Sequence, residues 1–168
     1  ACGWGIDIFN DTIRFIVTIA DSFEVVATVD TFTSLADEYV IAVKKSGTAV
    51  TIYVDGVIKA TGTLSSATID YSTTTTKKTV ISGFWDDSTS GYLFPLAGTV
   101  RDCRLYNTAL SDADVNLVKN WSYAPAGMIA NWIGENATDT FSTNWTVVDS
   151  VSANNGTSVN MEEGDRTC

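Results

Sequence analysis

The sequence predicts an all-β chain, an antiparallel β-sandwich of the jelly-roll kind with one short helix near the end of its core. Three observations carry that expectation. Short β-branched and aromatic runs recur along the first hundred residues with turn signals between them. Val, Ile and Thr are abundant while proline occurs only twice, a bias toward strands. Only the stretch after Ser111 reads as a helix.

In chain order, Ile13 to Ile19 and Phe23 to Val29 are strands separated by the Asp21-Ser22 turn, with Arg14, Thr18, Glu24 and Thr28 expected on a solvated face. Tyr39 to Val43 is the next strand, Lys44 to Thr48 a turn containing Gly47, and Ala49 to Val54 the return. Asp55-Gly56 is a two-residue hairpin signal, because both central residues of such a turn need positive φ. Val57 to Ala60 completes the meander. Tyr71 to Lys78, with four consecutive threonines, reads as an exposed loop or polar edge. Val80 to Trp85 is a further strand, Asp86 to Gly91 a polar loop, and Tyr92 to Phe94 the return.

Gly98 to Lys119 then reads as a long strand, a turn opened by Asn107, and a short helix. Ser111 is the N-cap, Asp114 the third helical residue, and Leu110 with Val115 a hydrophobic staple. Aspartates in the first turn and Lys119 in the last suit the helix dipole.

The run GTVRDCRLYNTALSDAD beginning at Gly98 resembles the closing strand and helix of laminin G-like domains, in the concanavalin A-like lectin/glucanase superfamily, which commonly read G-x-I-x-D-x-R-I-Y-N-x-A-L-S-x-x-E. Ala42 to Gly62 is similar to the central hairpin of those domains. The tryptophan and histidines that often precede that hairpin are replaced here by Glu38 and Tyr39. The resemblance implies the sandwich fold and names no ligand, because that fold hosts many functions.

The resemblance also divides the chain into a core at residues 1–124 and a sequel at 125–168. Pro125, Ala126 and Gly127 look like a linker. Met128 to Trp132, Val147 to Ser150, Asn154 to Thr157 and Asn160-Met161 are similar to the opening of a laminin G-like domain, while Ala1 to Phe9 enters without that signature. Three explanations stand: a piece of a tandem array, which is preferred; a permuted sandwich; or strands completing a neighbouring subunit. About 40 residues rarely hold a core alone.

A formal net charge of −10 argues against nucleic acid as a partner and is equally that of a solvated acidic surface. No apolar run of about 18 residues and no basic-to-apolar leader is present, so neither membrane insertion nor a signal peptide is expected. Cys103 reads as a small apolar strand residue. Cys2 and Cys168, near the two ends, are expected to bridge each other or neighbouring chains, a hint of an oxidising compartment. Asn-x-Ser/Thr sequons begin at Asn10, Asn120, Asn136, Asn144 and Asn155; they permit surface glycosylation and prove none.

Catalysis finds little footing. The chain has no histidine, which excludes Ser-His-Asp, Cys-His and His-metal arrangements. Retaining glycosidases of this superfamily use E-x-D-x-x-E; only Glu163-Gly164-Asp165 begins that spacing, and Cys168 stands where the second glutamate would be. A non-enzymatic recognition or adhesion module, extracellular or on a cell or virion surface, is therefore expected, with a glycan or cell-surface carbohydrate as its ligand.

Sugars present apolar ring faces edged by hydroxyls, so their sites pair an aromatic with carboxylates or amides, often around calcium. Trp85, Asp86, Asp87 and Tyr92 have that chemistry, and Asp86 with Asp87 would be the place for calcium, although no D-x-D-x-D-G loop is present. A strand-end Trp beside a solvated turn explains the same residues. Asn10, Asp11 and Thr12 form a second polar turn, and Trp121, Trp132 and Trp145 can equally fill a core or a subunit contact. The alternative function is structural: a subunit of a fibre, filament or surface layer, homo-oligomeric and joined by strand exchange or end-to-end contacts.

Overall fold

The alternation of Trp4, Ile6 and Ile8 makes the first residues a strand that the sequence reading left unassigned. In the computed structural model, which describes residues 3–20, 22–28, 38–69, 84–86, 91–93, 100–120, 123–133, 146–147, 149–152 and 156–157, β1 (Trp4–Phe9), β2 (Thr12–Ile19) and β3 (Ser22–Ala27) form an antiparallel sheet in the order β1-β2-β3. Asn10 and Asp11, at φ 48° and 59°, make the two-residue turn between β1 and β2. Period-2 alternation places Ile13, Phe15 and Val17 on one face of β2, and all three are buried.

β4 (Ile41–Ser46), β5 (Ala49–Val54) and β6 (Val57–Thr63) form a second antiparallel sheet in that order. The expected strand at 49–54 and the Asp55-Gly56 turn are both present, the latter at φ 52° and 79°. β4 starts later than expected and runs through Lys44 to Ser46. The turn therefore shrinks to Gly47 and Thr48, with Gly47 supplying the left-handed φ of 58°. One face of this sheet brings Val50 and Ile52 against Ile13, Phe15, Val17, Ile19 and Val26 of the first, with Leu64 closing the cluster. Two antiparallel sheets around one apolar layer are a β-sandwich.

The phase of β3 corrects the expectation for its outward face. Val26 is buried, and its neighbours at period two, Glu24 and Thr28, lie on its side of the pleat, leaving Phe23 and Val25 exposed. The cause is a non-local contact: Val26 packs onto Gly62 of β6, where an added Cβ would sit 2.6 Å from Val26 Cγ2. A one-residue slip would turn every side chain over. Glu24 reaches the strand end and accepts the Ser65 backbone N–H at 2.9 Å. Thr18 and Thr28 are buried rather than solvated, and the Thr28 hydroxyl accepts the Ile13 N–H at 3.2 Å.

The other face of the second sheet carries α1 (Asp112–Leu117), the only helix among the described residues. Ser111 caps it as expected: its Oγ accepts the Asp114 N–H at 3.1 Å and donates to Asp114 Oδ2 at 2.7 Å. Tyr53, buried on that face, donates to Asp112 at 2.7 Å, and the Lys44 ammonium both pairs with Asp112 and lies 5.5 Å from the Tyr53 ring centre. Lys119 lies beyond the helix, against expectation. Val118 caps the helix, and the Asn120 N–H donates to Leu117 O at 2.9 Å, so no basic residue remains in the last turn.

The chain divides into two compact units, residues 1–75 with 109–125 and residues 76–108 with 126–168. The second contains β7 (Phe84–Asp86) paired with β8 (Gly91–Leu93), β9 (Asp102–Tyr106) with β10 (Met128–Ile133), and β11 (Thr146–Val147) with β12 (Gly156–Thr157), all antiparallel. Asp86 and Gly91, expected in a loop, are strand residues paired with each other. Ala126 and Gly127 form a tight turn into β10: Gly127 has φ 91°, and its carbonyl accepts the Asn107 N–H at 2.9 Å. The threonine run at 73–76 and residues 80–83 lie outside the described residues.

Candidate functional site

The β7–β8 ladder sets the relation among the residues expected to bind sugar. Trp85 stands directly opposite Tyr92, and Phe84 opposite Leu93. The register therefore pairs the two aromatic positions across the ladder. Asp86 pairs with Gly91. Asp87 lies outside the described residues, as do Cys2, Cys168, Trp121, Trp145 and residues 163–165. Among the described residues, no group of three or more His, Cys, Asp or Glu side chains gathers in a way that would hold a metal ion.

The β9–β10 pair carries a polar patch that the sequence reading missed. Asp102, Arg104 and Tyr106 alternate along β9 and so share a face, and Asn131 stands opposite Arg104. Arg104 donates through Nε to Asp102 Oδ2 at 2.9 Å, and its Nη2 lies 2.7 Å from the same oxygen, in a largely buried pair. Burial disfavours the guanidinium charge, and Asp102 with Tyr106 more than offsets it, so the Arg104 pKa is raised. Asp102 Oδ1 and Asn131 Oδ1 are buried there with no hydrogen-bond partner among the described residues. The D-x-R-x-Y alternation was the available signal. Without a paired strand it does not say whether that face is covered.

Beside the patch, Asp149 forms an isolated bridge with Trp132 and accepts the backbone N–H of Asn131 at 2.9 Å and of Val151 at 3.0 Å, with the Ser152 hydroxyl on its other oxygen. Burial pushes its carboxyl up. Ser152 and the N–H groups of Asn131, Val151 and Ser152 win, and hold it down at about 2. Every member of this group binds backbone or a fixed neighbour, so its chemistry is to lock strands together. Cys103 is half-buried on β9, and burial followed by the Asp102 charge pushes its thiol up to about 11. A thiol at that value is not a nucleophile at neutral pH.

The polar turn from Asn10 to Thr12 is an exposed hairpin tip. The Thr12 hydroxyl donates to Asn10 O at 3.3 Å, and the Arg14 guanidinium lies 4.2 Å from the ring centre of the nearby Phe9. Arg14 is held in place by Asp7, with Nε to Oδ1 at 2.8 Å.

Antiparallel sheets in a sandwich, one short capped helix laid on the outer face of one sheet, and the strand motif at β9 define a lectin-like β-sandwich. A laminin G family model (Laminin G 3), described as the concanavalin A-like lectin/glucanases superfamily, matches residues 3–116. The chain belongs to that superfamily. A solved structure of an S-layer domain-containing protein (residues 221–444) from Clostridium thermocellum is similar at 19% identity and a TM-score of 0.39, covering 70% of this chain and 64% of that one. The chain thus spans less than two thirds of the length of that structure. No curated protein matches the sequence. Among the described residues no helix is long and apolar enough to cross a membrane.

Proposed function

We propose that this chain is a non-enzymatic recognition module that binds carbohydrate at an extracellular, cell or virion surface, with Trp85 and Tyr92 as its sugar platform. The observation that carries the reading is the register of β7 and β8, which sets the two aromatics opposite each other in a chain of the concanavalin A-like superfamily. Aromatic faces stack on the apolar faces of sugar rings, and Asp86, next to Trp85 in β7, is the carboxylate that would accept from sugar hydroxyls. The lack of histidine throughout the sequence supports the non-enzymatic part, and the net charge of −10 disfavours nucleic acid.

A glycan array probed with the purified chain, with and without a calcium chelator, tests this. Binding to a defined set of glycans, lost in Trp85→Ala with the thermal midpoint unchanged, is the expected result. Failure to bind under both conditions would remove the reading, and a chelator-sensitive signal would assign calcium to the site.

One observation favours a second reading, a structural subunit of a larger homo-oligomeric assembly. Among the described strands β1 lies at the edge of its sheet, and Trp4, Ile6 and Ile8, at 45%, 43% and 45% exposure, continue the row of core residues Val17, Phe15 and Ile13 outward. An apolar edge is a template for strand addition. Residues 128–133 pair with β9 of the same chain, so on this reading association runs through β1 rather than through that strand. Light scattering on the wild type and on Ile6→Lys separates the readings: a dissociated variant favours assembly, whereas equal monomeric masses leave carbohydrate recognition.

A further inference from the structure

We infer that Asn10 is an acceptor for an N-linked glycan whose first N-acetylglucosamine packs on Phe9 at the tip of the β1–β2 hairpin. The inference rests on the surface location proposed above only for its biological setting. Of the sequons, Asn10-Asp11-Thr12 alone lies wholly within the described residues, and there the geometry suits the modification. Asn10 and Asp11 are exposed and take the paired left-handed values of a two-residue turn, φ 48° and 59°. The amide of Asn10 makes no side-chain hydrogen bond to any described residue, so substitution at its nitrogen breaks nothing in the fold.

The surroundings of that amide are built for an apolar sugar face. Phe9 and Thr12 close the turn as directly opposed residues and so share one side of the ladder. Phe9 is 53% exposed although it is a large aromatic, and Arg14 stacks over its ring. That leaves much of an aromatic surface on the residue next to the acceptor. A pyranose attached to Asn10 would cover Phe9 with its apolar face while its hydroxyls stay in water, which is the pairing aromatic side chains make with sugars. The hydrophobic surface of Phe9 then has a covering group with no need for a protein partner.

The chemistry is a group transfer without oxidation or reduction. The Asn10 side-chain nitrogen forms a bond to the anomeric carbon of a lipid-pyrophosphate-linked oligosaccharide, under a membrane-bound oligosaccharyltransferase. The bond from that carbon to the pyrophosphate oxygen breaks, the lipid pyrophosphate leaves, and the amide gives up one proton.

Translation of the full chain behind a cleavable leader, in the presence of microsomes, reads occupancy without requiring export or native localisation. Loss of one step of the glycosylation ladder in Asn10→Gln is expected; an unchanged ladder overturns the assignment of Asn10. Packing is tested on the chain secreted from eukaryotic cells. Enzymatic removal of the glycans from a variant keeping only the Asn10 sequon should lower the thermal midpoint by about 2–4 °C, and the drop should vanish in Phe9→Ala. An equal drop in both overturns the contact with Phe9. Neither result depends on glycan-array binding, so loss of the carbohydrate-recognition reading and loss of this one are distinguishable.

Discussion

The Asp149 carboxylate reaches across 18 residues to accept the backbone N–H of Asn131 at 2.9 Å, tying the turn after β11 to the middle of β10. The same carboxylate serves Val151 and Ser152, which is why its pKa falls to about 2 although burial works in the opposite direction. A depressed carboxyl pKa is a pH-dependent stabiliser. Its contribution is complete above the unfolded value of 3.8 and is lost as the pH falls through about 2. Circular dichroism melts between pH 6 and 2 should therefore show a midpoint that declines through this window. In Asp149→Asn the decline should be shallower, with a lower midpoint at neutral pH, because an amide cannot match the carboxylate as acceptor. Asp112 and Asp114 are also lowered, each by hydrogen bonds from its neighbours, and supply the slope that remains.

Val26 and Gly62 should behave as one unit. Gly62→Ala places a methyl group 2.6 Å from Val26 Cγ2, on a β-branched side chain with little rotamer freedom to move aside. The expected destabilisation is about 1–3 kcal/mol, as for other over-packed core sites. Val26→Ala in the same chain should recover part of it, giving a favourable coupling in a double-mutant cycle by urea denaturation. Strictly additive losses would mean that the sheets do not meet at this pair.

Cys103 should be silent toward alkylating agents in the folded chain. Its thiol is pushed up to about 11, so at pH 8 only a small fraction is thiolate, and the side chain is half-buried. Iodoacetamide labelling followed by peptide mass spectrometry should find Cys103 unmodified in buffer and modified in urea. Rapid labelling in buffer would place the strand β9 in a more open setting than the one described.

Much of the fold could be read from residues that are near each other in the chain. The Asp55-Gly56 turn, the strand at Ala49–Val54 and the Ser111 cap follow from backbone preferences and hydrogen bonds spanning a few residues. The superfamily could be read for the same reason, because its motif is a run of such local features ending in the capped helix. Less of the candidate site was legible. Trp85, Asp86 and Tyr92 could be picked by chemical type, but their pairing depends on ladder register, and register moved Asp86 out of the loop and into the strand. Lys119 was expected inside the helix because helix propensity says little about where a short helix stops; the turn at Leu117 to Asn120 ends it.

The amino-acid order alone was enough for the class of structure: strands, a primed turn, a capped helix and their succession. Those are decided by local sterics and by hydrophobic period. The folded chain decided everything that depends on which distant surfaces meet. Val26 chose the phase of β3 by packing on Gly62, and Tyr53 with Lys44 drew the helix onto the outer face of the second sheet. Asp149, an ordinary turn residue in the sequence, became a buried clamp because Asn131 arrived beside it. Each of these contacts joins residues far apart in sequence, and no window of local preference contains both partners.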